Sequence, residues 1–202
     1  MKKALLLLIP LLLSQCANDD RKIDSAAQNK MDFSPDEKKK IKRDAGRIMY
    51  KLMVEAHDVS RSKLLKLLRD HKNDRWPINK LPVLEYANNS DINSKVLGLV
   101  TGMNIILLKY NSREQYLYAI SKLKKSKRFA PPIYEKALSI FQRYADGPFP
   151  IKSIPTADIE DNLIEDISNL TSAEDFNDII SHNSKQKYDE ELKKLEAEIN
   201  KK

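Results

Sequence analysis

The chain has 202 residues, of which 32% are charged and 41% hydrophobic, with a formal net charge of +7. Four glycines and one cysteine exclude a turn-rich β fold, a glycine-built phosphate cradle and any intrachain disulfide. Abundant Lys, Glu, Leu and Ile favour helices, so the expected class is all-α, a bundle of about six to eight helices.

Lys2 and Lys3 precede an apolar run from Ala4 to Leu13. That run is too short to cross a bilayer core of about 30 Å and has the proportions of a secretory signal peptide. The following "LLSQC" resembles a bacterial lipobox, with Leu13 at −3, Ser14 at −2 and Cys16 at the cleavage point. It departs from the pattern at −1, where Gln15 replaces Gly, Ala or Ser. The resemblance implies that residues 1–15 are a removed leader and that Cys16 carries acyl chains on a mature chain of 187 residues with a charge near +5. Each buried methylene contributes about 0.8 kcal/mol, so several chains anchor firmly. An exported, tethered protein does not meet genomic DNA, so the basic balance does not point to nucleic acid. Residues 16–33 are polar without helical period and are expected to form a flexible tether.

"SPDE" at 34–37 signals a helix start: Ser34 as cap, Pro35 in the first position, Glu37 completing a capping box. Ile41, Ala45, Ile48, Leu52 and Ala56 follow as one apolar stripe, then Leu64, Leu65, Leu67 and Leu68. Either one helix runs from 35 to about 71, or two meet near Asp58–Ser60. "RWPINKLPV" is a connector, a short helix is expected at 82–88, and "NNSD" at 88–91 reads as a break. Residues 92–110 are apolar nearly all round, with Gly98 and Gly102 four apart. Such spacing also occurs in membrane helices. Lys95 and Asn104 interrupt the run, however, and the expectation is a central buried helix.

Ser112 caps the next helix, with Tyr116, Ile120 and Leu123 on its apolar face and "KKSKR" at its end. Pro131 and Pro132 open another, with Ile133, Ala137, Ile140 and Tyr144 inside. The proline-rich loop 147–155 leads to an acidic helix capped by Thr156 or Asp158 and ending near Leu170, and "TSAE" caps one more from 172. Residues 34–182 thus form the expected bundle. In residues 183–202, Tyr188, Leu192, Leu195 and Ile199 make a two-heptad seam, too short for an independent coiled coil. That seam either packs on the chain's own N-terminal helix or meets a partner.

Charge is segregated. Residues 35–75 hold thirteen Lys/Arg against seven Asp/Glu, 109–143 hold nine against two, and 152–182 hold one against eight. Either these segments pair within the fold or they steer charged partners. Catalytic signals are missing. His57, His71 and His182 stand in no metal-ligand spacing, and no P-loop, GxGxxG or GxSxG occurs. No cofactor, metal or enzymatic activity is expected.

Taken together, the "LLSQC", the polar tether, the Lys- and Asn-rich helical body and the charged terminal helix resemble helical outer-surface lipoproteins of spirochaetes, of the Borrelia type. The resemblance implies an outer-membrane, surface-exposed, lipid-anchored protein, monomeric or weakly dimeric, that binds a host molecule. A complement regulator of the factor H kind leads, because relapsing-fever factor H-binding lipoproteins are similar in size and in their terminal helices. Tyr188, Leu192, Leu195 and Ile199 would form part of that site or hold it in shape. Alternatives are plasminogen, a sulfated glycosaminoglycan held by Lys122, Lys124, Lys125, Lys127 and Arg128, or a periplasmic structural role without a host ligand.

Overall fold

A computed structural model describes residues 33–126 and 128–201. Cys16, Lys127 and the expected leader and most of the tether lie outside them. The described residues form six α-helices and no strand: α1 Pro35–Asp70, α2 Leu84–Lys109, α3 Arg113–Lys125, α4 Pro131–Ala145, α5 Ala157–Ser181 and α6 Lys185–Ile199. The protein is an all-α helical bundle.

The chain divides into two compact units. One comprises the described residues up to Met49 with Ile92–Glu160; the other comprises Tyr50–Asp91 with Asp161–Lys202. Helices α1, α2 and α5 contribute residues to both.

The capping box forms as the sequence implies. Ser34 N–H donates to Glu37 Oε2 at 2.7 Å, and Glu37 N–H donates to Ser34 Oγ at 3.3 Å. From there α1 runs unbroken through Asp58–Ser60, where Ser60 is buried and its hydroxyl donates back to the His57 carbonyl at 2.7 Å. Its buried stripe is Ala45, Met49, Leu52 and Ala56, with Met49 taking the place expected for Ile48, which is exposed.

Two expected breaks are absent, and buried serines stand at both. "NNSD" lies inside α2, where Ser90 Oγ donates to the Ala87 carbonyl at 3.0 Å. "TSAE" lies inside α5, where Ser168 and Ser172 donate to the carbonyls of Glu165 (2.9 Å) and Asn169 (3.1 Å). Serines disfavour helix interiors when they compete for backbone groups. Here each bonds within its own helix and is buried, so packing outweighs propensity.

In the first unit, α2 supplies Val96, Leu97, Val100, Met103 and Leu107 to the core. It is long and apolar enough to cross a membrane by length and composition. Nothing crowds a Cβ placed at Gly102, so that glycine marks no close helix approach. Ser112 caps α3 by accepting from Gln115 N–H, and Tyr116 and Ile120 are buried as expected. In α4 the buried face is Ile133, Ala137 and Phe141. The 147–155 loop folds its isoleucines inward: Ile151 and Ile154 are buried. Their backbone groups need partners, and asparagines of the α2 region supply them. Asn104 bonds both N–H (2.7 Å) and C=O (2.8 Å) of Ile154, and Asn111 does the same for Ile151 (2.8 and 2.6 Å).

Replacing Asn104 with Ala leaves the Ile154 N–H and C=O unpaired. At about 1–3 kcal/mol for each buried group left unsatisfied, the variant is expected to unfold at clearly lower urea concentration. An unchanged midpoint would show that the amide is not needed.

Candidate functional site

The terminal seam is filled from within. Ser184 caps α6 by accepting from Lys187 N–H. Tyr188, Leu192 and Leu195 are buried in one cluster with Leu64, Leu65 and Leu68 of α1 and Phe176 and Ile180 of α5, and Ile199 packs at its edge. The Tyr188 hydroxyl donates to the Leu68 carbonyl at 2.5 Å. That carbonyl belongs to the last turn of α1, which has no intrahelical donor. Arg61 pairs with Glu198, and Arg69 Nε with Glu196 Oε1 at 3.0 Å, flanking the seam with ion pairs. Tyr188, Leu192 and Leu195 thus belong to the core of the second unit, while Ile199 stays half-buried at its edge.

The basic cluster is placed differently. Lys122, Lys124 and Lys125 lie in the last turn of α3 and are exposed, as is Arg128 just beyond. Among the described residues no carboxylate lies within ion-pair distance of the three lysines. The helix dipole favours cations at this end, which explains part of the clustering. Two neighbours that the charge pattern did not single out complete the face. Lys122 Nζ sits 5.4 Å from the Tyr118 ring centre, and Tyr118 and Leu117 are 37% and 45% exposed. The four-residue spacing of Tyr118 and Lys122 was the available signal. Arg128 N–H donates to the Tyr134 hydroxyl at 3.2 Å, and the Tyr134 ring packs edge-on against Phe129 at 5.9 Å. A surface of cations beside an aromatic ring can bind anions.

Other basic residues are engaged. Lys63 Nζ contacts Glu165 Oε1 and Asn169 Oδ1 at 2.5 Å each. This lowers the Glu165 pKa, with the Lys63 hydrogen bond the main cause. Lys109 Nζ approaches Glu37 at 3.3 Å and lies over the rings of Phe33 and Tyr110. Two of the histidines have local partners: His71 Nδ1 meets Asp74 at 2.6 Å, and His182 Nδ1 lies 3.0 Å from the Asp178 carbonyl. Among the described residues no three His, Cys, Asp or Glu side chains could share a metal ion. No family model, no curated protein and no solved structure matches this chain.

Burial, aided by the charges of Asp74, Asp189 and Asp70, raises the Tyr188 pKa from 10 to about 12. A proton held more tightly in the folded state stabilises it fully below about pH 10. That contribution is lost as pH rises through about 12. In Tyr188→Phe the alkaline loss assigned to this group should disappear, and neutral-pH stability should fall by about 0.5–1.5 kcal/mol for the missing hydrogen bond. Circular dichroism melts across pH check both.

Proposed function

We propose that this chain is an exported bacterial lipoprotein, acylated at Cys16, that is displayed on the outer surface and binds a host ligand without catalysing a reaction. Its best-matched ligand is a sulfated glycosaminoglycan. One observation carries that reading: Lys122, Lys124 and Lys125 are exposed without carboxylate partners, beside the exposed Tyr118 ring. Sulfates would be held by charge and hydrogen bonding to the ammonium groups, and the ring would lie against the sugar face. Arg128 extends the cationic surface past the helix end.

Retention on heparin tests this reading. Wild-type protein should be retained at low salt and released as the Debye length shrinks from about 10 Å at 0.1 M towards about 3 Å at 1 M. Changing Lys122, Lys124 and Lys125 to Gln should move elution to much lower salt. Unaltered retention of that variant would reject the site.

A protein ligand of the complement-regulator kind is the second reading. It is favoured by Tyr50 and Val54, which are 71% and 47% exposed one turn apart on α1. Exposed tyrosine is a frequent anchor in protein interfaces. In this reading the α6 seam acts only by maintaining the unit. Capture of factor H from serum should then be lost in a Tyr50→Ala, Val54→Ala variant that keeps its helical spectrum. Absence of capture by the wild type would reject the reading.

A further inference from the structure

Where α1 begins, the first unit carries a second basic surface. Lys38, Lys39, Lys40 and Lys42 fall within five residues of sequence, and the last three are exposed. No described carboxylate lies within ion-pair distance of any of the four. Their neighbours differ: Arg43 and Arg47 both face Asp44 at 3.8 Å, and Lys109 holds Glu37. The helix dipole explains the lysines at the end of α3 but not these, which stand near the positive end of α1.

This surface sits where the chain enters the fold. Phe33 meets the Tyr110 ring edge-on at 6.0 Å, with Lys109 Nζ over both rings, so the entry point is fixed beside the end of α2. Leu108, in that last turn, is 84% exposed, the most exposed of the described large apolar residues. Sixteen residues separate Cys16 from Phe33. At no more than about 3.6 Å per residue, they span at most about 60 Å. An acylated Cys16 would therefore hold this end of the unit within about 60 Å of the bilayer.

We infer that Lys38, Lys39, Lys40 and Lys42 form a docking surface for an anionic phospholipid membrane. The inference rests on the proposed acylation of Cys16. Charge complementarity identifies the occupant: a cationic stretch with no carboxylate partner among the described residues is held within reach of a surface that carries phosphate. Helix α3 starts three residues after Tyr110, and its rise places Lys122–Lys125 about 14–18 Å along its own axis from Arg113.

The test uses the full lipidated protein. With Cys16 acylated, a Lys39→Cys change supplies the one free thiol, which takes a fluorophore. The protein is floated on vesicles of phosphatidylcholine, or of phosphatidylcholine with phosphatidylglycerol, each carrying a headgroup-labelled quencher lipid. Each lysine at the surface should raise the docked-to-undocked ratio by about fivefold. Quenching should therefore rise on the anionic vesicles, collapse in 1 M salt, and be lost when Lys38, Lys40 and Lys42 are changed to Gln. Flotation with equal quenching on both vesicle types would overturn the inference and leave the anchor reading standing. A chain that does not float would overturn the anchor reading, and the inference with it.

Discussion

Loops that carry apolar side chains into a helical core also carry backbone N–H and C=O groups away from water, and each must find a partner. Asparagine amides meet that requirement repeatedly in this protein. A primary amide offers a donor and an acceptor side by side, so it can pair with both polar groups of one loop residue. Asn104 does so with Ile154 and Asn111 with Ile151. In the second unit Asn177 pairs with the N–H and C=O of Leu81, at 2.7 and 2.9 Å. Arg113 serves the same end at the close of α4, donating to the carbonyls of Ala145 and Gly147. With the polar groups satisfied, Ile151 and Ile154 can be buried while a loop containing three prolines runs over the helices.

Sequence position alone does not separate the structural cations from the available ones; pairing does. In the second unit Arg61, Lys63 and Arg69 each meet a carboxylate of α5 or α6. These pairs are partly exposed, and each contributes at most about 1 kcal/mol, so their main effect is orientation. The segregation of basic and acidic segments is therefore partly an internal matter. It is not wholly so, because the lysines at the start of α1 and the end of α3 have no such partners among the described residues. Thirteen cations between residues 35 and 75 thus divide into groups with different physical roles.

Much of the fold was legible because its signals are local. The Ser34–Glu37 box, the Ser112 cap and the prolines opening α4 act within one turn and set helix starts wherever the rest of the chain goes. Misjudged boundaries all involve polar residues inside helices. "NNSD" and "TSAE" carry residues that break isolated helices, and only the core around Ser90, Asn93, Ser168 and Ser172 makes them helical. Asn93 is reached by Lys136 of α4 at 2.6 Å, a contact no local pattern contains. In α1 the inward position between Ala45 and Leu52 is Met49 and not Ile48; steps of three-then-four and four-then-three both fit a helix, so spacing alone did not choose between them. The candidate basic face was legible as a charge run, but Tyr118 joins it only because of helical geometry, and pairing elsewhere is a tertiary fact.

The fate of the terminal heptads follows from the turn before them. Only His182, Asn183 and Ser184 separate α5 from α6. Asn183 adopts φ 47°, a left-handed conformation that asparagine tolerates, and its N–H closes on the Ile180 carbonyl at 2.9 Å. So short a connection keeps α6 beside its own neighbours at high effective concentration. A foreign helix must compete with that, and it must also expose Leu64, Leu65, Phe176 and Ile180 while it displaces the seam. Tyr188 adds a cost the partner cannot easily repay, since its departure strips the Leu68 carbonyl of its donor at a helix end. Two heptads in isolation advertise an interface. Placed three residues after a helix whose buried face matches them, they complete a core.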